Sequence, residues 1–218
     1  MNVVVTGSST GIGRALVAAF TARGGTVMHC SRSGGGGGLP CDVRDESAVT
    51  DFASAVLREM GPPDVLINNA GIARWGAVAA MATEDWNDVF ATNVTGMFLM
   101  TRAFLPDMLR RASGTIVNIA SLAGRNGIAN GAAYSASKHA VLGFSRSLML
   151  EVRAQGVRVI AICPGSVDTP IFEKETPPFA TSPERMMRPE DVAQAVADAV
   201  LLPPRATVSE LDIRPAQP

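Results

Sequence analysis

Val3-Val4-Val5-Thr6-Gly7-Ser8-Ser9-Thr10-Gly11-Ile12-Gly13 is the stretch on which the fold turns. A continuously apolar run opens onto three glycines. Beyond them Ile12, Ala15, Leu16, Ala19 and Phe20 recur at spacings of three and four, as one face of a helix does. Gly24-Gly25 then stops it. Glycines let a backbone turn tightly and approach a ligand closely. The helix start that follows offers unpaired N–H groups and a positive dipole end, which suits a pyrophosphate. A glycine triplet alone says little; between a strand and its helix it points to dinucleotide binding.

The same alternation runs outward along the chain. Residues 26–30, 64–68, 115–120, 157–163 and 208–213 read as further strands. Helical patterns cover roughly 45–60, 83–111, 134–155 and 189–202, and Pro106 is expected to kink or end the second of these. Continuously apolar strands alternating with helices predict an α/β protein: a Rossmann-type, doubly wound parallel sheet with helices on both faces. The run of glycines 34–38 is too short for a crossover helix. It reads as a shortened flexible connection, or as unhindered N–H groups beside a cofactor phosphate.

The bulk numbers agree with this reading. The chain has 218 residues, 47% hydrophobic and 18% charged, which suits a single α/β domain with a sizeable core. A net charge of −1 gives no general attraction to nucleic acid or to anionic membrane. No apolar run approaches the roughly 18 residues of a membrane span, and no basic and apolar leader precedes residue 3, so a cytoplasmic protein is expected. Cys30, Cys41 and Cys163 lie in or beside apolar stretches and read as buried thiols in a reducing compartment. With His29 and His139 far apart, the ligand spacing of a metal site is missing.

The dinucleotide fingerprint expects a discriminating residue about 20 positions after the glycine turn. An acid there would bond the adenosine ribose and repel a 2′-phosphate. Here the stretch is Cys30-Ser31-Arg32-Ser33. Arg32 offers a fixed positive fork to a phosphate, flanked by two hydroxyls, so NADP(H) is favoured, with NAD(H) as the alternative.

Taken together, the chain resembles the short-chain dehydrogenase/reductase family. Thr6–Gly13 looks like the family's TGxxxGIG; Cys41-Asp42-Val43 is similar to its adenine-holding acidic dipeptide; Asn68-Asn69-Ala70-Gly71 matches its NNAG segment. Asn93, Ser121, Tyr134 and Lys138 match its catalytic tetrad, and Pro164-Gly165-Ser166-Val167-Asp168-Thr169-Pro170 resembles the segment lying along the nicotinamide. The resemblance implies that Gly7, Ser9, Thr10, Gly11, Ile12, Gly13, Ser31, Arg32, Asp42, Val43, Asn69, Ala70, Gly71, Pro164, Gly165, Val167 and Thr169 surround the cofactor, together with Tyr134 and Lys138.

Departures are visible too. The glycines at 34–38 replace a helix, the segment after Thr169 is short, and no glycine-rich C-terminal segment follows Leu211-Asp212-Ile213. Where some NADP-using members carry a basic residue before the second glycine, this chain has Thr10, so the NADP reading rests on Arg32.

These residue types suit carbonyl–alcohol interconversion. The cofactor carries the hydride, and the protein supplies orientation and a proton. A free tyrosine titrates near about 10, too high for easy exchange at neutrality; a nearby ammonium and the positive nicotinamide are expected to favour the phenolate. Tyr134 and Lys138 are four apart on a predicted helix and share a face. Ser121 follows a strand, at the end of the sheet where ligands bind, and its hydroxyl can hold the substrate oxygen. Asn93 lies inside the helix expected over 83–111, where asparagine is a poor helix former, and the resemblance implies that it organises a water leading to Lys138.

The segments expected to shape the substrate pocket, 73–76, 122–131 and the loop at about 166–187, are mostly small or apolar, so a small uncharged carbonyl or alcohol is expected. Arg125 faces either solvent or this pocket. Trp75 and Trp86 read as packing, with Trp75 alternatively bordering the pocket; Met186-Met187 line it or pack; His139 is given no role. The resemblance implies a homodimer through the helices at 83–111 and 134–155, or a tetramer. A competing reading is a nucleotide-sensing protein on the same fold, which would commonly have lost one of the four catalytic residues.

Overall fold

Strand β1 (Asn2–Thr6) shows why its residues are apolar on both sides. Val3 and Val5 pack with Leu16 and Phe20 of helix α1 (Gly11–Ala22) and with helix α6 (Pro189–Val200). Val4 points the other way, into a core with α2 (Glu46–Glu59), α4 (Gly96–Arg110) and α5 (Ala132–Val152). Side chains alternate across a strand, so a sheet covered on both faces needs an apolar residue at every position. The computed structural model describes residues 1–172 and 182–216.

Seven parallel strands form the sheet in the order β3-β2-β1-β4-β5-β6-β7, with β2 (Thr26–Ser31), β3 (Leu39–Pro40), β4 (Val65–Asn68), β5 (Gly114–Ile119), β6 (Val157–Pro164) and β7 (Glu210–Ile213). This is the expected Rossmann-type architecture. Strands β2 and β3 extend to one side of β1, while β4 starts the other half. The order therefore reverses between β1 and β4, and the crevice that a doubly wound sheet offers to ligands opens at their carboxyl ends. Those ends are Thr6-Gly7 and Asn68-Asn69.

Several expectations change. Strand β3 is additional to the expected set, because two residues, one of them proline, carry no periodic signal. The glycines before it form a 3₁₀ turn (Gly35–Gly37) rather than a featureless connection, with φ of 65°, 72° and 83° at Gly34, Gly36 and Gly37. The helix expected over 83–111 is divided: α3 (Thr83–Phe90) and α4 are joined by a π-helical turn, Ala91–Thr95, that contains Asn93. Pro106 does not end α4, which continues to Arg110. Asp45 caps α2 by accepting from Ser47 N at 2.8 Å and Ala48 N at 3.4 Å.

Among the described residues no helix is long and apolar enough to cross a membrane, and no cluster of three potential metal ligands occurs. The three cysteines are buried free thiols.

Candidate active site

The crevice at the switch point is a cleft of about 710 Å³. Gly7, Ser9, Thr10, Gly11, Ile12 and Gly13 form one wall, and Ser31, Arg32, Asp42 and Val43 the end beyond β2. Asn69, Ala70 and Gly71 line its floor; Pro164, Gly165, Val167 and Thr169 close the far side; Ser121, Tyr134 and Lys138 stand at the inner end. Of the residues expected to form the catalytic tetrad or surround the cofactor, Asn93 does not line the cleft.

The glycine turn is compact for steric reasons. A Cβ on Gly13 would lie 2.2 Å from the Gly7 carbonyl oxygen, and one on Gly7 would lie 2.7 Å from the Ala70 Cα. Gly7 and Gly11 also have φ of 67° and 52°, in the left-handed region that favours glycine. Thr6 Oγ1 accepts from the N–H groups of Asn69 and Ala70, each at 3.0 Å. Asn69 Nδ2 donates back to the carbonyls of Thr6 and Gly7 at 2.9 and 3.1 Å. The Asn69 side chain is therefore committed to fixing the turn.

At the β2 end, Asp42 is gripped by Arg44, with Nη2 to Oδ2 at 2.7 Å and Nε to Oδ1 at 3.0 Å. Arg44 also reaches Asp88 at 3.1 Å. The Arg44 hydrogen bonds hold the Asp42 carboxyl below its ordinary range, with a smaller contribution from the charge of Arg32. Sequence reasoning missed Arg44; its spacing of two from Asp42 is the signal that could have found it. Arg32 sits exposed at the end of β2, and the buried Ser31 hydroxyl beside it has no hydrogen-bond partner in the protein.

At the inner end, the first turn of α5 carries Tyr134, and Lys138 follows one turn later. Lys138 is 4% exposed; its Nζ donates to the Ile119 carbonyl at 2.8 Å and lies 5.7 Å from the Tyr134 ring centroid. Burial pushes the Tyr134 phenol above its ordinary value, and the hydrogen bond with Ser121 opposes this. Burial also lowers Lys138 to about 8. In the protein alone the phenol is therefore shifted upward, its desolvation exceeding the opposing Ser121 hydrogen bond, rather than downward as the ammonium was expected to shift it. Ser121 also accepts from Ala123 N at 3.0 Å, which starts a 3₁₀ turn and fixes the hydroxyl.

Asn93 stands behind the cleft. Its Oδ1 accepts from Ile72 N at 2.8 Å, and its Nδ2 donates to the Ile72 carbonyl at 2.9 Å and to Ser137 Oγ at 3.0 Å. A Cβ on Gly71 would lie 3.3 Å from Asn93 Oδ1 and 3.6 Å from Lys138 Nζ, so the glycine is the spacer that lets these groups approach. What Asn93 does directly is clamp the NNAG loop onto α5.

The substrate end differs from expectation. Ile72, Ala73, Arg74, Pro170 and Ile171 line the cleft, whereas residues 122–131 do not. Arg125 faces away, ion-paired to Asp212 at 2.8 Å and to Glu210. Arg74, a cationic lining residue paired with Asp85 at 3.2 Å, departs from the small and apolar walls expected there. Trp75 packs against Tyr134, with ring centroids 5.5 Å apart; Trp86 stacks on Phe90 at 4.8 Å and stays 40% exposed. Met187 packs in the core, and its backbone pairs with the 166–168 segment. Residues 173–181 of the expected substrate loop lie outside the described residues.

A doubly wound parallel sheet with a glycine turn at its switch point, and a Ser–Tyr–Lys group in the same cleft, defines a nucleotide-dependent oxidoreductase. Comparison with known proteins is specific about which kind. The model of the short chain dehydrogenase family matches residues 1–178, and the chain belongs to that family.

A Streptomyces coelicolor relative assigned as a ketoacyl reductase is 41% identical over 185 residues, covering 77% of this chain and 71% of its own. The 3-oxoacyl-[acyl-carrier-protein] reductase of Vibrio cholerae is 33% identical over 212 residues, covering 89% and 87%. Among solved structures, a single-substitution variant of actinorhodin polyketide ketoreductase with NADPH superposes with a TM-score of 0.90 at 35% identity, covering 98% and 95%.

Proposed function

We propose that the chain is an NADP(H)-dependent reductase of a ketone carbonyl, with a 3-ketoacyl chain as substrate class and Tyr134 as the proton donor. The observation that carries this reading is the convergence of Ser121, Tyr134 and Lys138 with the glycine turn on one cleft. The relatives named as ketoacyl reductases and the NADPH-bound ketoreductase support the choice of substrate and cofactor.

The residues present fit the dinucleotide. The glycine turn precedes a helix whose first residues, Gly11, Ile12 and Gly13, line the cleft, and a helix N-terminus suits a pyrophosphate. The unpartnered buried Ser31 hydroxyl and the exposed Arg32 stand where β2 ends, and suit a 2′-phosphate. Asp42, fixed by Arg44, and Val43 flank the adenosine end. NADP(H), when bound, would supply or accept the hydride.

The chain's own groups do the rest. Ser121 Oγ, fixed by Ala123 N, holds the carbonyl oxygen against the Tyr134 hydroxyl. Tyr134 gives its proton to that oxygen as the alkoxide forms. Lys138, anchored on Ile119, restores the phenol proton through the route that Asn93 helps to shape. Phe98 on α4 and Leu150 on α5 are 42% and 62% exposed, which supports pairing of two copies across these helices; the mass in solution by light scattering tests that pairing.

The decisive experiment is NADPH consumption with a 3-ketoacyl thioester and with simple ketones, for the natural chain and for Tyr134→Phe. Turnover that Tyr134→Phe abolishes, with NADPH binding retained, is expected. NADPH binding without turnover on any carbonyl would favour a sensing role, and full activity in Tyr134→Phe would remove the tyrosine from the chemistry.

A further inference from the structure

The chain contains a single tyrosine, Tyr134, and two tryptophans, one of which lies on it. The other tryptophan, Trp86, lies elsewhere, stacked on Phe90. The Trp75 and Tyr134 rings sit 5.5 Å apart at an interplanar angle of 55°. The approach is built into the backbone on both sides. The Gly76 N–H donates to the Asn130 carbonyl at 2.8 Å, tying the loop that carries Trp75 to the segment entering α5. Asn130 holds φ of 57°, a conformation non-glycine residues rarely adopt. Gly131 follows, and a Cβ there would lie 2.7 Å from the indole Cζ3. The indole thus occupies the space that a side chain at 131 would need, three residues before Tyr134.

Resting on the reading of Tyr134 as the proton donor, we propose that Trp75 is a positioning residue for it: the indole wedged against Gly131 fixes the phenol ring and screens it from water, setting both its orientation and its readiness to ionise. Aromatic pairs favour particular ring geometries beyond what area burial alone would select. The burial that raises the phenol supports this. The other groups around the phenol are Ser121, which hydrogen-bonds it, and Lys138, whose Nζ lies 5.7 Å from its ring. Arg74 lines the same cleft and is paired with Asp85. Cys163, which interacts with Lys138, is raised to about 11 by burial and so is uncharged at neutral pH. Asn93, in the π-helical turn packed on α5, is neutral.

With one tyrosine in the chain, phenolate absorbance reads Tyr134 alone, without cofactor or turnover. Millisecond pH jumps allow the titration to be read before the protein unfolds in base. Trp75→Ala is expected to lower the midpoint by about one unit, Trp75→Phe to keep it, and Trp86→Ala to leave it unchanged. In NADPH-driven reduction, the alkaline limb of the rate profile should shift with the midpoint. A folded Trp75→Ala with the natural midpoint overturns the proposal; if that variant does not fold, an unchanged midpoint in Trp75→Leu overturns it. A shifted midpoint with an unmoved rate profile upholds the screening by Trp75 and instead counts against Tyr134 as the proton donor.

Discussion

The side chain of Asn93 grips the backbone of Ile72 from both sides, accepting from its N–H at 2.8 Å and donating to its carbonyl at 2.9 Å. A side-chain amide here takes the place of a neighbouring strand. It is available because the π-helical turn between α3 and α4 re-aims the asparagine toward the loop after β4. Asn93→Ala leaves both Ile72 groups without these partners. An unmade buried hydrogen bond costs about 1–3 kcal/mol, so thermal or urea unfolding should show a loss of about 2 kcal/mol or more. Turnover should fall at least about tenfold, because the loop carrying Gly71 loses its register against Lys138. Unchanged stability would show that the clamp does not hold the loop.

The buried ammonium of Lys138 gives a signed pH prediction. Its value is lowered from 10.5 to about 8 by burial, so at pH values below 8 the folded state carries the full penalty of a desolvated charge. Between about 8 and 10.5 the unfolded chain holds a proton that the folded chain has released, and stability rises with pH. Lys138→Met should therefore be inactive yet more stable than the natural chain at pH 7, by up to about 3 kcal/mol, less whatever the lost hydrogen bond to Ile119 contributes. The difference should shrink as pH rises through that window. The raised phenol of Tyr134 acts in the opposite direction, but only above about pH 10. Denaturant unfolding at about pH 7 and about pH 9.5 checks this, and a gap that widens with pH contradicts it.

On the proposed reading, Arg32 is the residue that selects between the two nicotinamide cofactors. Arg32→Ala should weaken NADPH binding by about 10–100-fold, the range expected when a charge-assisted hydrogen-bond group to a phosphate is removed. NADH binding should change little. Titration of both cofactors by fluorescence decides it; an unaltered NADPH affinity would move the preference away from Arg32.

Gly13 tests the steric reading of the phosphate turn. A Cβ there would meet the Gly7 carbonyl oxygen at 2.2 Å and Asn69 Nδ2 at 2.6 Å. Both are backbone or hydrogen-bonded groups with nowhere to go, so Gly13→Ala should cost more than about 2 kcal/mol and abolish dinucleotide binding. Calorimetric unfolding together with cofactor titration gives both readouts. Gly36→Ala makes a useful contrast: nothing lies within 4 Å of its added carbon, and only its φ of 72° opposes the change.

Much of the fold was legible because parallel sheets leave a strong mark. Val3, Val4 and Val5 must all be apolar when helices cover both faces, and the glycine turn after them announces the strand's end. The helix carrying Tyr134 and Lys138 showed in the same way. Strand β3 did not, since Leu39 and Pro40 are too few to set a period. The division of the helix at Asn93 was also invisible: its sequence fits an unbroken helix, and the Asn93–Ile72 hydrogen bonds made at the π-helical turn join residues 21 apart that no local pattern relates.

The sequence by itself determined which chemical groups are present and in what order: the glycine turn, Arg32, Ser121, and Tyr134 four residues before Lys138. Those are local patterns, governed by helix and strand periodicity and by the chemistry of each side chain. Tertiary structure decided what surrounds them. It placed Arg44 on Asp42, Arg125 away from the cleft, Arg74 in its lining and Trp75 on the tyrosine ring. It also set the direction in which Tyr134 and Lys138 are shifted in the protein alone, because desolvation depends on everything packed around a group and no spacing along the chain records it.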